Sequence, residues 1–269
     1  MDETRCRTRP ITPALAAGLV SLGLVLAGCT GGSMQSDPLG VRLSQAPSKE
    51  ISATPSQAAG RSVAHAMYRA GPAVRTFAVD ASDEILRRER SAPNAVGRWQ
   101  DVVALATGTG EPFTPIRVAE FGFDDTGGVL LYRTDNTERG VRTVFDPPLL
   151  ICPATLDIDA THTHETQLTT TTQRGERDAR EQAGTVGVET TRSAPERVET
   201  AAGPVDAQRI DVRLVLTIDN AEVTRSTRYA FTFAEGVLVD DSAERVRALG
   251  FTLRNERRVA RAVADGGID

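Results

Sequence analysis

From Ile210 to Ile218 every second residue is aliphatic: Ile210, Val212, Leu214, Leu216 and Ile218, with Asp211, Arg213, Val215 and Thr217 between them. Successive side chains of a strand point to opposite faces, so this spacing describes a strand with one buried and one solvated face. Asp219-Asn220 follows, two residues that tolerate positive φ and so suit a tight hairpin turn. The returning segment puts Val223, Tyr229, Phe231 and Phe233 on one side and Glu222, Thr224, Ser226, Arg228 and Thr232 on the other. Two strands joined this closely have no room for a helical crossover, so the pair is antiparallel.

The same period governs much of the chain from Arg98 onward. Ile116 and Val118, then Phe121 and Phe123, lie on strand-like segments that end in the turn Asp124-Asp125-Thr126-Gly127-Gly128. Val129 to Thr134 and Val141 to Phe145 continue a meander, which Pro147-Pro148 is expected to break. Thr161 to Thr172, THTHETQLTTTT, reads as a strand because threonine favours extended backbone. Few apolar residues mark either of its faces, so an exposed or edge position is expected. Gln173 to Gln182 is rich in Arg and Glu and reads as a loop. Two short helices are expected near the start of this region. Arg61 to Arg69 groups Val63, Ala66 and Met67 on one face. Ser82 to Arg88 has a capping serine, acids in the first turn and arginines later. The fold class is therefore mainly β (α+β): a curved antiparallel sheet or half-barrel meander with one or two short N-terminal helices.

Ahead of this domain the chain has a different character. Arg5, Arg7 and Arg9 precede a charge-free apolar run from Ile11 to Ala27. As a helix the run is about 25 Å long at ~1.5 Å per residue, short of a ~30 Å hydrocarbon core. A basic head, a shortish apolar middle and small residues at its end read as an export signal. From Thr30 to Gly60, Gly, Ser, Pro, Thr and Gln dominate without apolar periodicity. This segment reads as a disordered tether with a root-mean-square reach of about 30 Å. The division is 1–28 signal peptide, 29–60 tether and 61–269 one β-rich domain.

Leu26-Ala27-Gly28-Cys29 resembles the lipobox of bacterial lipoproteins at all four positions. The resemblance implies recognition of Leu26, Ala27 and Gly28 by the lipoprotein signal peptidase, and cleavage before Cys29. It also implies acylation of Cys29, with palmitate-type chains on the thiol-linked glyceride. One acyl chain holds a protein only marginally, at ~0.8 kcal/mol per buried methylene, whereas two or three make attachment effectively permanent. The implied partner is the lipid bilayer and the implied location the cell envelope. Thr30 rather than Asp follows the cysteine. In a two-membrane cell the resemblance then favours the outer membrane facing the periplasm, and otherwise the outer face of the cell membrane. Residues 196–240 show a second, narrower likeness, to the TapB-like envelope β-sheet proteins, carried by Glu199 to Ile210 and by Phe231 to Val239. Ala201 stands where that family has proline. This likeness concerns about a fifth of the chain and implies a curved antiparallel sheet wrapped around a helix, as in LolA/LolB-like lipoprotein carriers. No catalytic residues come with it.

Three cysteines occur: Cys6 lies in the signal, Cys29 takes lipid, and Cys152 is left alone in the apolar stretch Leu149-Leu150-Ile151-Cys152. No internal disulfide is available, and a buried, inert thiol is expected. The net charge of −5, with Lys49 the only lysine, excludes a nucleic-acid binder that relies on basic excess. Thr107-Gly108-Thr109-Gly110 lacks the strand-turn-helix setting and the lysine of a phosphate loop. Asp124-Asp125 and Asp240-Asp241 read as turn formers. The one constellation suited to chemistry is His162-x-His164-Glu165. On a strand both imidazoles share a face and could meet a metal ion, with Asp157, Asp159 or Glu165 as a third ligand. The competing reading is two polar residues on a solvated strand. His65 reads as a helix-surface or partly buried side chain, and Trp99 and Tyr132 as core or sheet-rim residues. The functional expectation is a membrane-anchored envelope lipoprotein without enzymatic activity or cofactor, acting as a binding or structural module for a protein partner or a hydrophobic ligand. The alternative is a metal-binding protein or metal-dependent hydrolase using His162 and His164.

Overall fold

In a computed structural model, residues 62–174, 178–200 and 203–263 are described. They form one short helix, α1 (Val63–Tyr68), followed by twelve strands: β1 (Val74–Val79), β2 (Glu84–Arg90), β3 (Trp99–Thr107), β4 (Thr114–Phe123), β5 (Val129–Asn136), β6 (Val141–Cys152), β7 (Thr161–Arg174), β8 (Asp178–Thr200), β9 (Gly203–Ile218), β10 (Ala221–Thr232), β11 (Gly236–Ala248) and β12 (Phe251–Ala262). Every strand pairs antiparallel with its neighbour in sequence, and β1 pairs with β12, so the sheet closes into a barrel. The signal peptide, the tether and all of Leu26, Ala27, Gly28 and Cys29 lie outside the described residues.

The antiparallel meander is as expected, and it goes further than a curved sheet or half-barrel by closing into a full barrel. Closure rests on a short ladder in which Phe77, Ala78 and Val79 oppose Ala262, Arg261 and Ala260. The Arg261 guanidinium adds an ion pair to Asp80 at 3.0 Å. Below this ladder β12 extends past β1, and Arg258 reaches Glu84 on β2 at 3.0 Å, both almost fully buried. That pair ties the two walls together where the ladder has run out.

Four other expectations change. Ser82 to Arg88 is not a helix. Its serine hydroxyl does accept a backbone N–H, but from Glu84 at 3.0 Å, as a turn two residues long. The residues beyond it join β2, because ladders to β1 and β3 satisfy their backbone on both sides and Glu84, Leu86 and Arg88 alternate inward. The threonine-rich strand is not at an edge. β7 is paired on one side with β6 and along its whole length with β8, and Thr166, Leu168 and Thr170 are buried on its inner face. The segment read as a loop extends both strands instead, up to Arg174 and again from Asp178. Pro147-Pro148 bends β6 without ending it. Pairing with β7 stops at Asp146, while pairing with β5 resumes at Leu149 after a register shift. Proline has no N–H to give to the β7 ladder.

The two ends of the barrel differ. At one end α1 packs into the mouth, with Val63, Ala64, Ala66, Met67 and Tyr68 buried against an apolar layer that includes Trp99, Phe121, Leu149 and Phe231. Ser62 caps this helix by accepting the His65 N–H at 3.1 Å. Arg90 holds its far end, donating to the carbonyls of Tyr68 (2.9 Å), Ala70 (2.9 Å), Gly71 (3.1 Å) and Pro72 (2.5 Å). The backbone here passes very close to the β10–β11 turn. A Cβ at Gly236, where φ is +75°, would sit 2.5 Å from the Ala70 carbonyl oxygen, so glycine alone fits. The β8–β9 hairpin runs past this end and curls outward. Val198, Val205 and Ala207 cover Ala230, Leu238 and Val239 as a small second core, and Arg228 pairs with Glu196 across it. A register break at Ser193–Glu196, around Pro195, supplies the bend.

The outer wall is charged along its length. Glu165, Glu189, Arg213, Glu222, Arg245 and Arg247 are all exposed. A lipid-facing arginine or lysine near a bilayer midplane costs about 2–4 kcal/mol, so this wall is suited to water. No helix among the described residues is long and apolar enough to cross a membrane.

Candidate functional site

With charge outside and a helix in one mouth, the chemistry of the molecule lies on its inner wall. Inward positions follow from the registers: Arg88 on β2, Asp101 on β3, Arg117 on β4, Thr134 and Asn136 on β5, Thr143 on β6, Gln182 on β8, Arg225, Thr227 and Tyr229 on β10, Asp240, Ser242 and Glu244 on β11, and Arg254, Glu256 and Arg258 on β12. A barrel of eight strands is just filled by its side chains. Twelve enclose more, and here polar groups line the middle and the end away from α1.

Burying charge is costly unless it is paired, and most of these groups are paired. Arg88 Nε donates to Asp101 Oδ2 at 2.5 Å, and Asp101 is only 2% exposed. Burial opposes the Arg88 cation, but the adjacent carboxylate outweighs it and holds the guanidinium firmly protonated. Nearer the polar end, Arg254 pairs with Glu256 and lies 3.7 Å from Glu244. Burial pushes the Glu244 carboxyl up to about 7, against the pull of Arg225, with the neighbouring Glu256 adding to the rise. Glu138, on the β5–β6 turn, is also raised by burial, in part offset by Arg258 and Arg254. Ser242 donates to Asp240 and lies 3.2 Å from the Thr227 hydroxyl.

His162 and His164 do share one face of β7, as their spacing requires, but it is the inner face, where both are half-buried. They sit where β6 has lifted away from β7, and β7 and β8 reach across that gap with side chains in place of the missing ladder. The Leu150 N–H donates to His164 Nδ1 at 3.2 Å, Thr166 Oγ1 donates to the Pro147 carbonyl at 2.7 Å, and Thr190 Oγ1 donates to the Ile151 carbonyl at 2.6 Å. Burial, and then His162, lowers the His164 pKa, which favours the neutral ring that this acceptor role needs. Glu165 points to the opposite, exposed face, and Asp157 and Asp159 are exposed. Among the described residues no group of three His, Cys, Asp or Glu could hold a metal ion.

The remaining residues singled out by sequence fall as follows. Cys152 is a buried free thiol whose pKa burial pushes up to about 12. Trp99 is core, 2% exposed, and His65 is exposed and stacks on Phe123 with ring centroids 5.9 Å apart. Asp124 is a turn former: it accepts from the N–H groups of Thr126 and Gly128, each at 2.8 Å. Asp240-Asp241 is not a turn. It lies within β11, with Asp240 inward and Asp241 outward, paired with Arg257 at 2.8 Å. A shallow outer groove of about 320 Å³ runs over Gly187 between Glu165, Glu189 and Arg213. The inner charges are what sequence reasoning missed. Arg225 and Thr227 occupy the same alternating face as Val223, Tyr229 and Phe231, so the period alone marked them as inward; their polarity hid it.

No family model, curated protein or solved structure matches the chain.

Proposed function

We propose that this protein is a lipid-anchored lipoprotein of the cell envelope, in which acylated Cys29 and a flexible tether hold a water-facing β-barrel that acts as a non-enzymatic binding or structural module. The observation that carries this reading is the Leu26-Ala27-Gly28-Cys29 lipobox at the end of an export signal. The charged outer wall supports it from the other direction: a barrel with Arg213, Arg245 and Arg247 exposed on its outside gains its membrane attachment from a lipid, not from its strands. The lined interior supports the binding half. The three histidines support no catalytic arrangement, since His65 is on the surface, the His164 acceptor nitrogen is occupied by Leu150, and His162 lies beside it on the same wall. In a two-membrane cell the anchor belongs in the outer membrane, facing the periplasm; otherwise it belongs in the outer face of the cell membrane. Fractionation of cells producing the native protein and a Cys29→Ser variant tests the reading. The native protein is expected in the membrane pellet, carrying acyl label, and the variant in the soluble or unprocessed pool. Native protein in the soluble fraction without label would refute it.

A further inference from the structure

We infer that the middle of the barrel is a binding site for a small oxyanion, phosphate- or carboxylate-bearing, held between the guanidinium groups of Arg117 and Arg225. It deepens the binding half of the function proposed above and is independent of the anchor. Arg225 is 5% exposed, and its Nη2 is buried without a hydrogen-bond acceptor. Arg117 Nε is buried in the same condition. Among the described residues neither arginine has a carboxylate within ion-pair distance, while Arg88, Arg254 and Arg258 each have one. The two unmatched cations come from β4 and β10, which are not neighbours in the sheet, so they approach from separate walls of the interior.

Their surroundings compensate them only in part. Glu244 opposes Arg225 directly in the β10–β11 ladder, yet its ion pair is with Arg254, and burial keeps its carboxyl half-protonated near neutral pH. Burial and then Arg225 itself lower the Arg117 pKa, as expected for two like charges facing each other. Tyr229 lies beside both, and Thr134 and Thr143 add hydroxyls to the same inner wall. Arg117 and Tyr229 are half-buried on the inner wall and face the space that the closed sheet surrounds. An oxyanion in that space would accept from both planar forks and cancel their repulsion. Guanidinium groups suit that geometry better than any other side chain.

The test is thermal unfolding and calorimetric titration of the purified full-length protein with sodium phosphate, sodium acetate and sodium chloride at equal ionic strength. Saturable stabilisation by phosphate or by acetate, and none by chloride, is expected. Phosphate alone would assign a phosphate-bearing ligand and acetate alone a carboxylate-bearing one. Arg117→Met and Arg225→Met should each weaken that binding at least ten-fold. Without ligand Arg117→Met should melt no lower than the native protein, because it removes one of two repelling charges. Arg213→Met, on the outer wall, should bind like the native protein, and Arg225→Lys, which keeps the charge but loses the fork, should fall between. No saturable effect of either oxyanion, or undiminished binding in both methionine variants, would overturn the site. A failure of the acyl-labelling experiment would leave these results untouched.

Discussion

At the scale of single residues, the interior is a set of charges whose states depend on neighbours and burial more than on pH in bulk water. Glu244 shows this most plainly. Its carboxyl is held near 7 in the folded barrel, above its value in an unfolded chain. The folded state therefore binds more protons at this site between those two values, so the Glu244 contribution to stability is fully present at low pH and is lost as pH rises through about 7. Glu244→Gln should flatten that decline, and chemical denaturation of both proteins at pH 5 and pH 8 measures it; equal slopes in the two would remove Glu244 as the cause. The histidine pair makes a related point about reading residues. Their spacing on a strand was legible, and so was their shared face, but not which face. That depended on Pro147-Pro148 lifting β6 off β7, which leaves the backbone of Pro147, Leu150 and Ile151 to be satisfied by Thr166, His164 and Thr190. No local pattern in Thr161 to Thr172 announces that a neighbouring strand will need its side chains.

At the scale of elements, period two was readable wherever one face was apolar and the other polar, as in β9 and in the turns after Phe123 and Ile218. It failed where the inner face is itself polar. β7 carries threonine and histidine inward, so it looked like an edge strand; β2 carries Glu84 and Arg88 inward, so its charges looked like a helix dipole pattern. In both cases two flanking ladders overrode local preference. Helix α1 was legible because its apolar face is conventional. Its stability is not its own: six residues are too few for an isolated helix. Arg90 clamps the chain leaving it through four carbonyls, and burial followed by Arg88 lowers the Arg90 pKa to about 10, so the cation persists at neutral pH. Arg90→Ala should destabilise the protein by about 1.5–3 kcal/mol, the range for hydrogen bonds to a charged group. Hydrogen exchange should show residues 63–72 losing protection before the strands do. An unchanged midpoint of denaturation would show that packing alone seats the helix.

At the scale of the whole molecule, one closed sheet separates a charged exterior from an interior that is apolar beside α1 and ionic beyond it. Closure depends on the shortest ladder in the barrel, three residue pairs between β1 and β12 helped by Arg261–Asp80 and Arg258–Glu84. Amides of β1 and of the last residues of β12 should therefore exchange with solvent faster than those of β8 and β9, whose ladder is the longest; uniform protection around the barrel would mean that the seam is not its weak point. That the sheet closes could not be read from the meander, because closure pairs residue 77 with residue 262 and no short-range pattern encodes it. What the chain does in the cell turns on the other end of the sequence. Mass spectrometry of the N-terminal peptide of the mature protein tests it most directly. A first residue of Cys29 with a diacylglycerol mass on its sulfur is the result expected, and a mature N-terminus elsewhere, or an unmodified thiol at Cys29, would contradict it.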